Sequence, residues 1–311
     1  MIKIFTTIFL LIIGSTGFAI ADTDYQLHAE LIAKNTYVFI GKKEDFSMVN
    51  GGNILNTAFI VTNEGVVLID SGPSYQYALQ AKAAINEITD KPVIKIFITH
   101  SHPDHFLGNQ VFPDASIYAL PTTIRELKTN AESFLDNVYR LADYWMAGTE
   151  VSINSILPLN STSELIGEHS LRYLFLKGHT AADLAILDET TGVLFTGDLV
   201  FHNRAATTPH ANIEAWLLSL DKLEQIRFNL LVPGHGEVTG NISPIKQTRE
   251  YLTWLDVTIK RSVMDGLSMN EVINLPVPEQ FQNLAVLKSE FMRSVIHRYP
   301  IYEKTLFEQI E

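Results

Sequence analysis

The most constraining feature of this chain is a strand that empties directly into a cluster of histidines. Residues Val93 to Ile98 are apolar at every position except Lys95. Such a run marks a strand covered on both faces, as in a sheet flanked by other layers. It leads without a break into Thr99-His100-Ser101-His102-Pro103-Asp104-His105. A layered fold that ends a buried strand on ligand-type side chains is therefore the frame into which the rest of the chain must fit.

The remaining pattern alternates strands and helices. Leu27 to Ala33 and Tyr37 to Ile40, split by Asn35-Thr36, read as one hairpin, and Ala58 to Thr62 with Val66 to Asp70 as a second around Asn63-Glu64-Gly65. Gly41 to Asn53, with Gly51-Gly52, is a loop. Tyr75 to Thr89 has Ala78, Leu79, Ala81, Ala84, Ile85 and Ile88 at helical spacing and stops at Asp90-Lys91-Pro92. Thr122 to Trp145, Ile213 to Ile226 and Pro244 to Arg261 read as helices; Leu171 to Leu176, Leu184 to Leu187, Val193 to Phe195 and Leu230 to Val232 read as strands, and the residues after Arg261 as helix with loops. Two similar halves of sheet and helix predict an α/β fold of two sheets packed face to face with helices outside. No repeat and no linker interrupts the pattern, so one domain is expected.

The first residues read as a leader. Met1-Ile2-Lys3, the apolar run Ile4 to Ile13 and small residues ending in Ala19-Ile20-Ala21 form the pattern of a secretory signal peptide, cleaved after Ala21. The apolar run is shorter than the roughly twenty residues that span a bilayer, and no cysteine follows it to carry a lipid. The expected product is a soluble, exported protein, periplasmic in a Gram-negative source, with no stable membrane anchor after cleavage.

Composition narrows the chemistry. With 23 Lys and Arg against 35 Asp and Glu, the formal charge is −12, which argues against a nucleic-acid partner and for a small-molecule substrate. The chain has no cysteine, so disulfides, thiolate nucleophiles and cysteine-ligated metals are excluded. On an extended segment His100 and His102 point to one side while Ser101 points away. Asp104 and His105 follow at the turn and face a second point. Imidazole and carboxylate are the donors that borderline divalent ions accept when no thiolate is available. Further candidates stand beside glycines at other strand ends: Gly178-His179, Gly197-Asp198 and Gly234-His235. Glycine there lets the backbone approach a ligand closely.

His-x-His-x-Asp-His followed by Gly-His, Gly-Asp and Gly-His-Gly resembles the metallo-β-lactamase-fold hydrolases, from the strand closing on Asp70-Ser71-Gly72 through His235. The resemblance implies a four-layer αββα sandwich over residues 22–311, with a C-terminal helical extension. It also implies a two-metal site: His100, His102 and His179 on one ion, Asp104, His105 and His235 on the other, and Asp198 bridging. Asp70 would hydrogen-bond a ligand histidine. The bridging aspartate resembles the glyoxalase-II-like ligand set rather than the β-lactamases, and His102 differs from the glutamate of diiron flavoprotein relatives. Phe46, Gly51-Gly52-Asn53, Gly197-Asp198-Leu199-Val200-Phe201, Arg204, Trp216 and Arg298-Tyr299-Pro300-Ile301-Tyr302 resemble one exported branch, the quinoprotein relay system zinc metallohydrolases related to SoxH-type proteins.

The implied cofactor is a pair of Zn2+ ions, with iron or manganese as other candidates. Two such ions roughly 3.5–4 Å apart share one hydroxide near neutral pH. That hydroxide attacks a small ester, thioester or lactone or lactam carbonyl, or a phosphorus or sulfur ester, with Asp198 setting the spacing and Asp104 relaying a proton. On the substrate side, Arg204 is a candidate anion clamp, with His202, His210 and Phe46 as candidate pocket residues and Met48, Tyr144 and Trp145 as an apolar lid. Three competing readings remain: β-lactam hydrolysis proper, a mono-iron persulfide-dioxygenase-like oxidoreductase, and a non-catalytic periplasmic accessory protein of quinoprotein dehydrogenase systems. Glutathione-based substrates of the second belong to the cytosol, which the leader pattern opposes.

Overall fold

The computed structural model describes residues 23–308, so the leader expected over residues 1–21 lies outside the described residues. In chain order the elements are β1 (Glu30–Ala33), β2 (Thr36–Phe39), β3 (Thr57–Val61), β4 (Val66–Ile69), α1 (Tyr75–Ile88), β5 (Val93–Phe97), α2 (Pro103–Phe106), β6 (Ser116–Ala119), α3 (Pro121–Ala142), β7 (Leu157–Pro158), β8 (Ser163–Ile166), β9 (His169–Leu176), β10 (Asp183–Asp188), β11 (Val193–Phe195), α4 (Ile213–Glu224), β12 (Leu230–Val232), α5 (Ser243–Met264), α6 (Met269–Ile273) and α7 (Leu287–Glu308). Among the described residues one sheet runs β1-β2-β3-β4-β5-β6-β7 and the other β12-β11-β10-β9-β8.

Side-chain alternation explains the layering. In β4, Val67 and Ile69 turn toward the second sheet while Val66 and Leu68 turn toward α1 and α3. In β10, Leu184 and Ile186 face the first sheet while Ala185 and Leu187 face α4 and α5. Each strand thus buries both faces, which yields helix, sheet, sheet, helix in that order. β4, β5 and β6 run parallel, with α1 crossing between β4 and β5. The helix starts where Ser74 accepts the Tyr77 N–H as an N-cap. The C-terminal helices α5 and α7 pack on the outer face of the second sheet through Tyr251, Leu255, Phe291 and Val295.

The differences from expectation have local causes. β5 is only half-buried over Val93 to Lys95, because Lys95 leaves the apolar layer to pair with Glu164 of β8. The helix expected over Thr122 to Trp145 ends at Ala142. Asp143 then takes a φ of 50° and a tight turn over Asp143–Met146 follows. Strands β6, β7 and β8 were not anticipated, being short segments at or near a sheet edge.

Candidate metal centre

All the candidate donors lie on one rim, at the ends of β4, β5, β9, β11 and β12. β5 delivers His100 and His102, and Pro103 then starts α2, which turns Asp104 and His105 to the same centre. His179 sits in the β9–β10 connection, Asp198 in the turn after β11, and His235 in the loop after β12. Donor atoms of His100, His102, His179 and Asp198 form one cluster within 4.8 Å, and those of Asp104, His105 and His235 another. Asp198 stands between them. Its Oδ2 lies 3.3 Å from His179 Nε2, 3.8 Å from His100 Nε2 and 3.1 Å from His235 Nε2, while Oδ1 lies 3.2 Å from His105 Nε2. Asp104 Oδ2 is 3.6 Å from His105 Nε2 and 3.5 Å from His235 Nε2. The seven positions singled out in the sequence therefore converge in space.

The back of each ring explains its orientation. Asp70, at the end of β4 with a φ of 58°, accepts the Thr99 N–H at 2.8 Å, the Thr99 Oγ1–H at 2.8 Å and the His105 Nδ1–H at 2.7 Å. A non-glycine residue in this left-handed region is held by its surroundings. Thr99 Oγ1, having donated to Asp70, accepts from His100 Nδ1 at 3.0 Å, and His235 Nδ1 donates to the Ile54 carbonyl at 2.6 Å. Three rings are thereby fixed with Nε2 turned inward. His102 is reversed: Nδ1 is 2.8 Å from His179 Nε2, and Nε2 is 2.8 Å from His210 Nδ1. The His179 loop is drawn tight by Asp183, which accepts from the amides of His179 and Thr180 and from Thr180 Oγ1. Burial pushes the Asp183 carboxyl up to about 6. Thr99 and Asp183 escaped the sequence reading because neither stands beside a glycine at a strand end.

Close approach depends on a glycine: a Cβ at Gly234 would sit 2.1 Å from Asp198 Oδ1. Behind His235 the Phe201 ring stacks at 5.1 Å with an interplanar angle of 4°.

The electrostatics suit cation binding. Burial, aided by neighbouring imidazoles, holds His100 and His102 well below the usual imidazole range, so both are neutral donors. Burial pushes Asp198 up, but His235, His105, His100 and His179 outweigh it and keep its carboxyl well below the usual range. His105 is raised well above the usual range, because Asp70, Asp104 and Asp198 overcome its burial; the three carboxylates favour positive charge at this point, carried by a proton on Nε2 or by a cation that displaces it. His100 Nε2, His105 Nε2 and Asp198 Oδ1 are buried without a hydrogen-bond partner. Buried polar atoms are ordinarily paired. Inward-facing nitrogen and oxygen donors left unpaired in this way fit a divalent cation.

The metallo-beta-lactamase superfamily profile matches residues 50–235, more than half of the chain. The chain belongs to the metallo-β-lactamase superfamily. Members of this superfamily are mostly hydrolases, and this member carries the corresponding His/Asp candidates for a divalent metal site. Over 207 residues, 63% of this chain and 77% of the relative, it is 27% identical to metallo-beta-lactamase IND-1 of Chryseobacterium indologenes. Over 279 residues, 75% of this chain but 52% of the relative, it is 20% identical to a linear primary-alkylsulfatase of Pseudomonas sp.. The chain thus spans about half the length of that curated relative, and the match to a beta-lactamase-like protein 2 homolog of Caenorhabditis elegans covers 60% of that protein. The fold is similar to a metallo-beta-lactamase from Pontibacter korlensis, with a TM-score of 0.60 and 22% identity over 73% of this chain and 99% of that one. It is also similar to the sec-alkylsulfatase Pisa1 from Pseudomonas sp., with a TM-score of 0.66 and 17% identity over 88% of this chain and 50% of that one. This superfamily member therefore has the four-layer αββα sandwich expected from its sequence.

The substrate-side expectations need correction. Arg204 is not an anion clamp: it is 3% exposed, and its Nη2 lies 3.4 Å from Glu290 Oε1 of α7. Its Nη1 donates to Ala205 O and Thr207 Oγ1. The charge is neutralised inside the protein, since a guanidinium this deeply buried requires a partner. Phe46 packs its ring against Gly52, and His202 Nδ1 donates to the Glu237 carbonyl at 2.7 Å; neither belongs to the donor cluster. Trp145 is core rather than lid: it is buried and donates Nε1–H to the Met48 carbonyl, to which the exposed Tyr144 also donates. Ser101 turns away from the donors, as expected, and donates to Glu126.

Proposed function

We propose that the protein is a dinuclear zinc hydrolase of small carbonyl esters, thioesters or lactones. His100, His102 and His179 would hold one ion, Asp104, His105 and His235 the other, and Asp198 would bridge them. The observation that carries this reading is the position of Asp198, whose two carboxylate oxygens face histidines of both clusters. When bound, a pair of such ions lowers the pKa of water to near neutrality and acts as a Lewis acid toward a carbonyl oxygen.

The chain's own residues prepare that site. Asp70, Thr99 and the Ile54 carbonyl hold protons on the outer nitrogens of His105, His100 and His235, which keeps the inner lone pairs free. The donors are nearly dry, and His102, at 9% exposure, is the most accessible of the seven. Substrate therefore enters on the His102 side. Asp104, buried between His105 and His235, is placed to take a proton and return it to the leaving group. An acyl-coenzyme A thioesterase of Gallus gallus, 21% identical over 61% of this chain, supports the thioester class.

Sulfate-ester hydrolysis is a second reading, favoured by the alkylsulfatase Pisa1, whose fold covers 88% of this chain. The leader pattern supports export, and the Gly51-Gly52-Asn53 and Arg298-Tyr299-Pro300 segments support kinship with the SoxH-related branch.

The test is elemental analysis of the purified protein together with a panel of thioester, aryl ester, lactone, nitrocefin and alkyl sulfate. Two zinc ions per chain and turnover of carbonyl substrates are expected. One iron per chain, or turnover of lactam alone, overturns this reading, and turnover of alkyl sulfate alone selects the second. Export is tested by N-terminal sequencing of the secreted form, expected to begin at Asp22.

A further inference from the structure

We propose that His210 is a positioning residue that fixes His102 as an Nδ1 metal ligand, and that the C-terminal helix α7 holds it there. This rests on the metal-centre reading above. His102 differs from its neighbours in which nitrogen faces inward. A neutral imidazole carries one proton, and its location decides which nitrogen can donate a lone pair. His102 Nδ1 faces the cluster, 2.8 Å from His179 Nε2, so the proton must sit on Nε2. The group 2.8 Å from Nε2 is His210 Nδ1, which accepts that proton's hydrogen bond. Phe134 of α3 stands edge-on to both rings, 6.2 Å from His102 and 5.8 Å from His210, and limits their rotation. His210 therefore does for His102 what Thr99, Asp70 and the Ile54 carbonyl do for three other rings.

The loop presenting His210 lies within the family match, but what anchors it lies beyond residue 235. Arg298 Nη1 donates to the Ala211 carbonyl at 2.8 Å, and Arg298 is itself held by the Tyr302 hydroxyl. Thr207 Oγ1 donates to Glu290 Oε1, and Thr208 Oγ1 to Ser294 Oγ, both at 2.7 Å. On the other side the Asn212 N–H donates to the Gly178 carbonyl at 2.8 Å, beside His179. The loop is thus tied both to α7 and to the neighbouring ligand loop. Chain outside the family core supplies the geometry of a ligand inside it.

The test uses the full chain, stripped of metal and titrated with zinc against a competing fluorescent chelator. His210 is exposed, so its substitution leaves the core intact. Groups behind a ligand histidine are typically worth 10–100-fold in metal affinity. His210→Ala is expected to weaken binding of the first zinc by that factor, whereas His210→Asn, whose Oδ1 can replace Nδ1 as acceptor, restores it to within about threefold. The cobalt-substituted protein should show a shifted visible band in His210→Ala and a parental band in His210→Asn. A His210→Ala protein within threefold of the parent, or a His210→Asn protein as weak as His210→Ala, overturns the proposal. A parent that takes up no zinc refutes the metal centre itself, which keeps the two failures distinct.

Discussion

Replacing Asp70 by Asn is the sharpest probe of the network behind the metal centre. The carboxylate accepts three hydrogen bonds at 2.7–2.8 Å, from Thr99 N–H, Thr99 Oγ1–H and His105 Nδ1–H. The amide has one oxygen and one NH2 group. With NH2 in the Oδ1 place it opposes the backbone N–H of Thr99; in the Oδ2 place it opposes two donors. The first arrangement costs least and still leaves one buried donor unpaired, about 1–3 kcal/mol, besides the loss of a charge-assisted bond to His105. The sum is about 2–4 kcal/mol of stability, roughly 3–7 °C in Tm for a chain of this size. Zinc affinity should fall about tenfold, because the neutral amide oxygen left facing His105 Nδ1 holds that proton less strongly than the carboxylate did. Chemical denaturation of the metal-free protein reads the first quantity, and competition with a chelator reads the second. An Asp70→Asn protein of parental affinity would refute the argument that outer hydrogen bonds set the inward lone pairs, even if it unfolded more easily.

Four further outcomes follow from the same geometry. Gly234→Ala places a methyl 2.1 Å from Asp198 Oδ1, so it should cost about 1–3 kcal/mol and lower the zinc-to-protein ratio below the parent's; unchanged stoichiometry speaks against Asp198 as a bridge. Arg204→Ala leaves Glu290 with only Arg293 and Thr207 as partners and should cost about 1–3 kcal/mol, visible in urea denaturation, whereas a folded variant with only a raised KM would reinstate the anion clamp. Burial raises Asp188, but hydrogen bonds from His169 and Thr191 outweigh it and hold its carboxyl below the ordinary 3.8. Its stabilising contribution is therefore present above pH 4 and lost as pH falls further. Asp188→Asn should cost about 2 kcal/mol at pH 6 and progressively less toward pH 2; a difference that does not change with pH would contradict this. Zinc added at a hundred times its Kd should stabilise the metal-stripped protein by about 2.7 kcal/mol, measured by thermal melts, and no shift would deny a folded-state site.

The donor set was legible because its signals are local. A buried strand ending in three histidines and an aspartate, and glycines beside His179, Asp198 and His235, declare themselves within a few residues of sequence. So does the layering, since continuous apolar strands such as Val66 to Ile69 require cover on both faces. Partnerships across the chain were not legible. Arg204 stands near the candidate ligands in sequence, yet its partner Glu290 lies 86 positions away. His210 looked like an ordinary loop histidine until folding brought it to His102, 108 positions away. β7 is two residues long and includes Pro158, too little for alternation to register. Loop 41–53 is tied down by backbone contacts to Trp145 and Tyr144, which composition does not report.

Each of the two donor clusters draws on both sheets: His100 and His102 meet His179 and Asp198, while Asp104 and His105 meet His235. A half-folded chain with its sheets still apart therefore offers at most two donors to either cation, too few for tight capture. Ion uptake becomes the last event of assembly, and the moment at which refolding protein withdraws zinc from a chelator times the docking of one sheet on the other.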